Sequence, residues 1–187
     1  MTKQKTESNT KELLTEGEIK KLIDVADNPR DKAFISTLYE TGCRIGEFLS
    51  LKIKDSSFDK EGSILRVNGK TGLRMVRSIA SAPYLAAWLL AHKEKDNPEA
   101  RLWTIKEVAV RLLLKRLAKK AGIKKAIDAH SLRCARAVHL SAYLTECKMK
   151  EYLEWAQKSP ADSIYMRLSG RNRDEALLEA YNLKKKQ

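Results

Sequence analysis

Residues 56–80 read SSFDKEGSILRVNGKTGLRMVRSIA, and this stretch decides the fold class. It is rich in β-branched residues, and turn-forming residues occupy positions 59–62 and 68–72. Short runs of this kind, separated by turns that contain Asp, Asn and Gly, are typical of antiparallel hairpins. The stretch therefore predicts a three-stranded antiparallel meander. No other part of the sequence predicts a sheet.

Helical patterns precede this meander. The segment TEGEIKKLIDVADNP at 15–29 has Thr15 and Glu18 at the spacing of a capping box, followed by apolar residues at helical intervals. A second helix is expected within RDKAFISTLYETG, ending at Gly42, and a third within RIGEFLSLK.

Helical patterns also follow the meander. A second Thr-x-x-Glu pair, Thr104 and Glu107, predicts the start of a helix. The periodicity predicts helices over the following ranges: 83–92, 106–121, 131–144, 146–155 and 174–181. The predicted class is mainly α with one small antiparallel sheet, that is, α+β.

Length and charge limit the organisation and the partners. The chain has 187 residues, of which 43% are hydrophobic, enough for one core. We expect residues 1–12 to form a flexible polar arm and residues 13–187 to form one domain. Lys and Arg number 37 against 24 acidic residues, a net charge of +13, which favours a polyanion such as nucleic acid or, less directly, an anionic membrane surface.

The sequence lacks the marks of membrane, secreted and disulfide-rich proteins. No apolar run approaches the length of a bilayer span, and the N-terminus has no hydrophobic signal core. The cysteines Cys43, Cys134 and Cys147 are odd in number and form no Cys-x-x-Cys pair. We expect reduced thiols in a cytoplasmic, DNA-associated protein that does not bind membranes.

Two positive side chains occupy positions suited to an anion. Arg44 follows the helix-ending Gly42 at the start of the third helix, where Glu47 can hold its guanidinium. Lys70 lies in the tight turn NGKTG between two predicted strands and can project its charge into a groove. The alternatives are a plain salt bridge for Arg44 and a solvated turn residue for Lys70.

The segment IDAHSLRCARAVHL at 127–140 carries a second basic group. His130 and Arg133 are three residues apart, so they share one face of the predicted helix. An imidazole and a guanidinium so placed suit a phosphate, since one moves a proton and the other neutralises charge. The alternatives are a solvated basic face and a metal site of His130, Cys134 and His139, for which a second ligand cluster is missing.

The order arginine, lysine, histidine, arginine and tyrosine, at Arg44, Lys70, His130, Arg133 and Tyr165, resembles the catalytic series of the tyrosine recombinases, the phage integrase family. Three segments carry the resemblance: TGCRIGEFLSLKIKD at 41–55, HSLRCARAVHL at 130–140 and SIYMRLSG at 163–170. The last of these, with DEALLEAYN behind it, is most similar to archaeal-type integrases. The resemblance covers nearly all of the chain from about Leu14 to Tyr181.

The resemblance assigns roles residue by residue. It implies that Arg44 and Arg133 clamp the phosphate, that Lys70 protonates the leaving 5′-oxygen and that His130 assists proton transfer. Tyr165 is then the nucleophile. The family has a histidine or tryptophan some ten residues before its tyrosine, and YLEWAQKSPADSIY offers Trp155 there. Gln157 is a second choice for this role, and Trp155 is alternatively a core residue.

The implied activity is site-specific DNA recombination through a covalent 3′-phosphotyrosyl intermediate, without metal, ATP or another cofactor. The partners are double-stranded DNA and other copies of the chain in a synaptic tetramer, with a monomer possible in solution. Four basic residues are expected to contact DNA: Arg167, Arg171, Lys115 and Lys119. The alternatives are a relaxing activity like that of type IB topoisomerases and a DNA-binding accessory protein with a degenerate site.

The sequence departs from the family pattern at several positions. Cys134 stands where a further histidine is common, Val138 where threonine is frequent, and Arg167 where the resembling branch has histidine. Because none is among the main catalytic groups, we expect them to alter activity without abolishing it. Family members usually have a separate N-terminal helical domain, where this sequence has only a short polar arm. The alternatives are an isolated catalytic half and a naturally short relative, and for either we expect weaker and less selective DNA binding.

Overall fold

A computed structural model describes residues 13–69 and 72–153. In these ranges the helices are α1 Glu16–Asp24, α2 Pro29–Thr41, α3 Ile45–Ser50, α4 Ala82–Ala91, α5 Glu107–Lys120, α6 Ala129–Ser141 and α7 Glu146–Leu153, with a 3₁₀ turn at Ile53–Asp55. The strands are β1 Ser56–Asp59, β2 Gly62–Gly69 and β3 Gly72–Ser78. The predicted class, mainly α with a small antiparallel sheet, is confirmed. The arm at 1–12 and the helix at 174–181 lie outside the described residues.

The sheet forms where the turn residues predicted it. Its order is β1-β2-β3, and both pairs are antiparallel, with Asp59 opposite Gly62 and Gly69 opposite Gly72 at the two turns. Gly62 has a φ of 143°, and a Cβ there would lie 2.4 Å from the carbonyl oxygen of Ser78. The first turn therefore requires glycine for both its conformation and its space.

The starts of the first two helices follow from local capping chemistry. Thr15 caps α1 and forms the predicted capping box with Glu18. Asn28, which follows the end of α1, accepts a hydrogen bond from the Asp31 backbone and so caps α2, and Pro29 is the first residue of α2. Helix α2 ends as predicted at Gly42, whose φ of 59° is left-handed.

One predicted capping box is absent, and one helix begins earlier than predicted. Thr104 and Glu107 form no capping box, because α5 begins at Glu107 behind Lys106, whose side chain makes no capping hydrogen bond. Trp103 is buried and Ile105 packs against the core, which keeps this segment out of the helix. Helix α6 begins at Ala129, two residues before the predicted start, because Asp128 is its N-cap.

The core surrounds α2, which packs against α1, α4, α6 and β3. Phe34 on α2 packs edge to face with Phe48 and Trp103 at centroid distances of 5.2 Å, and Phe48 stacks on Trp103 at 4.7 Å. The buried carboxylate of Glu40 on α2 accepts hydrogen bonds from three successive backbone N–H groups, those of residues 79–81, at the turn before α4. Helix α2 thus connects the sheet to α4 and α6.

Across residues 13–69 and 72–153, none of the helices is long and apolar enough to cross a membrane.

Candidate active site

Three of the residues singled out by the sequence meet at one pocket. A cavity of about 330 Å³ is lined by residues from the start of α3 and the start of α6: Cys43, Arg44, Ile45, Ala129, His130 and Arg133. Arg44 and the pair His130 and Arg133 are more than 80 positions apart in the sequence. The fold thus brings Arg44 close to His130 and Arg133, which are distant from it in the sequence.

The cap of α6 positions its two basic side chains. The Asp128 carboxylate accepts a hydrogen bond from the Ser131 backbone N–H at 2.6 Å, and the Ser131 hydroxyl accepts one from the Asp128 N–H at 2.9 Å. His130 is therefore in the first turn of α6, and Arg133 follows one turn later. Both face the pocket, as their spacing predicted.

Arg133 is held rigidly. Only 7% of it is exposed, and its Nη1 and Nη2 groups donate to the backbone carbonyls of Gly42 and Leu153, respectively. Burial lowers the pKa of Arg133 from its ordinary value, and the neighbouring cation Arg44 lowers it further. A guanidinium fixed in this way keeps its orientation before any ligand arrives, which favours the binding of a phosphate.

Arg44 is positioned by Glu47, as expected. Its Nη1 donates to Glu47 Oε1 at 2.8 Å, and its backbone N–H lies 3.3 Å from Glu47 Oε2. The Arg44 side chain is 44% exposed, whereas Glu47 is 10% exposed. Burial would raise the pKa of Glu47, but the hydrogen bonds from Arg44 and Arg74 outweigh it and lower that pKa. Glu47 therefore stays ionised beside the pocket.

Arg74 on β3 is the residue that sequence reasoning missed. Its Nη2 donates to Glu47 Oε2 at 3.0 Å and lies 3.7 Å from the Cys43 sulfur. One signal was available: Arg74 alternates with Val76 and Ser78, which are buried on the inner face of the sheet. An arginine at an inward position of a strand is costly without an anionic partner, so its position indicates a buried ion pair.

The two remaining histidine and cysteine contacts do not form a metal site. His130 Nε2 lies 3.3 Å from the Cys134 sulfur, whereas His139 Nδ1 lies 2.7 Å from the Tyr39 hydroxyl. The three side chains that the metal alternative required are thus divided between two contacts. Among the residues that the structure describes, no group of three or more His, Cys, Asp and Glu side chains is arranged to hold a metal ion.

The expected DNA-binding lysines on α5 are exposed. Lys115 and Lys119 lie one turn apart on the outer side of this helix. Three other members of the basic run at 115–125 are paired with acidic side chains: Arg116 with Asp31, Lys120 with Asp27 and Lys125 with Glu18. Paired cations release fewer counterions on binding a polyanion, so Lys115 and Lys119 are the stronger candidates.

The other predicted site residues lie outside the described residues. These are Lys70, which follows β2 in the sequence, and four residues after position 153: Trp155, Tyr165, Arg167 and Arg171. Their roles stay predictions. Within the described part, the pocket offers two guanidinium groups and one imidazole, a set that can bind a phosphate, stabilise added negative charge on it and transfer a proton.

Comparison with known proteins gives consistent matches. The model of the phage integrase family matches residues 12–171. Tyrosine recombinase XerA of Pyrococcus horikoshii is 30% identical over 175 residues, which cover 89% of this chain and 60% of that protein. Tyrosine recombinase XerA of Pyrococcus furiosus is 30% identical over 187 residues, covering 89% of this chain and 61% of the relative. The chain therefore spans about three fifths of the length of these curated relatives.

Solved structures share the fold. A crystal structure of XerA recombinase superposes with a TM-score of 0.73 at 27% identity and covers 100% of this chain and 68% of that chain. A post-cleavage complex of the XerH site-specific recombinase, bound to a palindromic difH substrate, has a TM-score of 0.71 at 22% identity, covering 91% of this chain and 52% of that one. At that identity, the second match establishes the fold alone.

Proposed function

Since this chain belongs to the phage integrase family, we propose that it cleaves and rejoins DNA strands as a site-specific tyrosine recombinase. The observation that carries the proposal is the pocket at which Arg44, His130 and Arg133 meet. These three side chains converge there from the starts of α3 and α6, and none of them is part of the hydrophobic core. The two carbonyl contacts of Arg133 have a structural role, but they do not account for the placement of Arg44 and His130 at the same pocket.

The proposed cleavage step is a transesterification at phosphorus. The Tyr165 oxygen forms a bond to the phosphorus, the bond from phosphorus to the 5′-oxygen breaks, and the phenol proton is lost to a base. Lys70 supplies a proton to the departing 5′-oxygen, and His130 assists proton transfer. The product is a 3′-phosphotyrosyl link and a free 5′-hydroxyl, so the number of phosphate ester bonds is unchanged.

Fixed positive charge makes this reaction feasible. A free phenol has a pKa of about 10, so Tyr165 attacks only when the charge that develops on the phosphate is stabilised. Arg44 and Arg133 supply that stabilisation in the proposed reaction, and the guanidinium of Arg133 is already fixed by two backbone carbonyls. Side-chain cations thus take the part that a metal ion plays in other phosphoryl-transfer enzymes.

Rejoining is the reverse of cleavage. A 5′-hydroxyl attacks the phosphotyrosyl link, the bond from phosphorus to Tyr165 breaks, and the phenol recovers its proton. Because the covalent link conserves the phosphodiester, no nucleotide is required. If the attacking hydroxyl comes from a second duplex, the strands are exchanged, and if it comes from the same duplex, the DNA is only relaxed.

The proposed partners are double-stranded DNA and further copies of the chain. One similar structure is described as XerH bound to its difH substrate, and another as a lambda integrase dimer bound to a core site. The net charge of +13 is consistent with a DNA partner. In this proposal, strand exchange takes place in a synaptic tetramer that holds two DNA sites.

A nicked suicide substrate tests the proposal. In such a duplex, cleavage releases a short oligonucleotide that carries the 5′-hydroxyl, so the cleaved state accumulates. We expect a slowly migrating protein–DNA band on denaturing electrophoresis that disappears after protease treatment. A duplex that is bound but never cleaved would identify an accessory DNA-binding protein. Relaxation of supercoiled plasmid without any exchange between two sites would identify a topoisomerase.

A further inference from the structure

Arg74 lies beside the pocket but has no part in the catalytic series. It belongs to β3, two residues after the strand begins at Gly72, and its side chain is 14% exposed. Its Nη2 donates to Glu47 Oε2 at 3.0 Å and lies 3.7 Å from the sulfur of Cys43, which lines the pocket. Arg74 therefore brings a third guanidinium to the group formed by Arg44 and Arg133.

The carboxylate of Glu47 is divided between two arginines. Oε1 accepts from Arg44 at 2.8 Å and Oε2 accepts from Arg74 at 3.0 Å. Glu47 is only 10% exposed, so water does little to screen its charge. Without Arg74, the negative charge of Glu47 would act on Arg44 and Arg133 only and would cancel more of their positive field at the pocket.

Charge counting indicates what this arrangement achieves. In the described part of the site, Arg44, Arg74 and Arg133 contribute three positive charges and Glu47 contributes one negative charge. The balance of two positive charges matches the two negative charges of a pentacoordinate phosphate, which carries one more than the phosphodiester in the ground state. Loss of Arg74 would leave one positive charge against the same transition state.

We propose that Arg74 is a positioning residue for strand cleavage, which neutralises Glu47 so that Arg44 is oriented by this carboxylate without losing its positive field at the scissile phosphate. The inference rests on the proposed function. It assigns Arg74 no contact with the DNA, since its action passes through Glu47. It also gives β3 a direct link to the start of α3.

The test compares four variants with the unmodified chain on the nicked suicide substrate, by single-turnover cleavage. Arg74→Met removes the guanidinium but keeps an unbranched apolar stem, and Arg74→Lys keeps the charge. The double variant combines Arg74→Met with Glu47→Gln. The second change removes the negative charge of Glu47, while the amide oxygen of glutamine can still accept a hydrogen bond from Arg44. Arg77→Met is the matched control, since Arg77 lies on the same strand and pairs with Asp59 on the surface. Melting temperature and duplex affinity are measured for every variant.

We expect Arg74→Met to reduce the cleavage rate about tenfold or more, with duplex affinity within about threefold. Arg74→Lys should lose less than Arg74→Met. The double variant should cleave faster than Arg74→Met, because removing the charge of Glu47 restores the balance at the pocket. Arg77→Met should cleave at about the normal rate.

Three results would overturn the inference. Normal cleavage by Arg74→Met would show that the third guanidinium is dispensable. A double variant that cleaves no faster than Arg74→Met would refute charge compensation. The inference would also fail if, in all Arg74 variants, the loss of cleavage were proportional to the loss of melting temperature. If the unmodified chain forms no adduct at all, the proposed function fails and this inference with it. The adduct of the unmodified chain thus separates the two failures.

Discussion

Arg133 on α6 donates through Nη2 to the backbone carbonyl of Leu153 in α7, while its Nη1 donates to the carbonyl of Gly42 at the end of α2. One guanidinium thus connects the end of α2 to α7 and also lines the pocket. The sequence continues from Leu153 towards Trp155 and Tyr165. Arg133 consequently has both a structural task and the proposed catalytic one.

Replacing Arg133 by lysine separates charge from geometry. Lysine keeps a positive charge, but it cannot hold two carbonyls and a phosphate with a planar fork. We expect duplex affinity within about threefold of normal and a cleavage rate reduced on the order of a hundredfold or more. Arg136→Lys, one turn further along α6, is the control and should cleave nearly normally. Near-normal cleavage by Arg133→Lys would place Arg133 outside the active site.

DNA binding should depend strongly on salt. If about five phosphates are neutralised, the slope of log affinity against log salt is roughly −4 to −5. Replacing Lys115 and Lys119 together by alanine should reduce the magnitude of this slope by about two. The control replaces both members of the ion pair of Lys120 and Asp27, which leaves the net charge unchanged. It should change the slope much less. A salt-independent affinity would contradict electrostatic binding.

Stability should fall on mild acidification because of His139. Burial lowers the pKa of His139 below its ordinary value of 6.5; the charge of Glu16 opposes this effect, and nearby Arg136 adds to it. The unfolded chain therefore takes up the proton first as pH falls, so this contribution to stability is complete above 6.5 and is lost between 6.5 and the lower folded pKa. Denaturant titrations at several pH values should show that the free energy of unfolding depends less on pH in His139→Gln than in the unmodified chain. The glutamine amide can still accept a hydrogen bond from Tyr39. An unchanged dependence would mean that His139 is not the group responsible.

Cleavage should be insensitive to chelators. In the proposed reaction the phosphate meets the guanidinium groups of Arg44 and Arg133, and the metal alternative required His130, Cys134 and His139 to converge, which they do not. We expect equal rates of adduct formation with and without EDTA on the suicide substrate. Loss of cleavage in EDTA that zinc or magnesium restores would require a different mechanism.

Local patterns explain what could be predicted from the sequence. The strand pairings of the sheet and the cap of α1 depend on residues close together in the chain, and both formed as expected. His130 and Arg133 face the same pocket because a helix places residues three apart on one side. Where tertiary packing competed with a local signal, as at Thr104, the packing of Trp103 and Ile105 prevailed.

Distant pairings could not be predicted. Arg74 and Glu47 are 27 residues apart, and no periodicity within β3 or α3 indicates that these two side chains meet. The burial of Arg133 depends on carbonyls that lie 91 and 20 residues away. Such contacts arise only when helices and sheet pack together, and they determine the charge and rigidity of the pocket.

The central claim is that Tyr165 becomes linked to DNA. Of the tyrosines that the structure describes, Tyr39 contacts His139, the Tyr152 hydroxyl donates to the Glu40 carbonyl, and Tyr84 and Tyr143 lie on the surface. Tyr181 lies in the sequence beyond the tyrosine segment at 163–170. Tyr165→Phe removes a single oxygen, so DNA binding should persist while cleavage disappears.

The most direct measurement is to trap the adduct on a nicked suicide substrate, digest it with protease and locate the attached nucleotide by mass spectrometry. The account predicts a single modified peptide with the nucleotide on Tyr165, and no adduct from Tyr165→Phe under the same conditions. An adduct on any other residue, or cleavage by Tyr165→Phe, would contradict it.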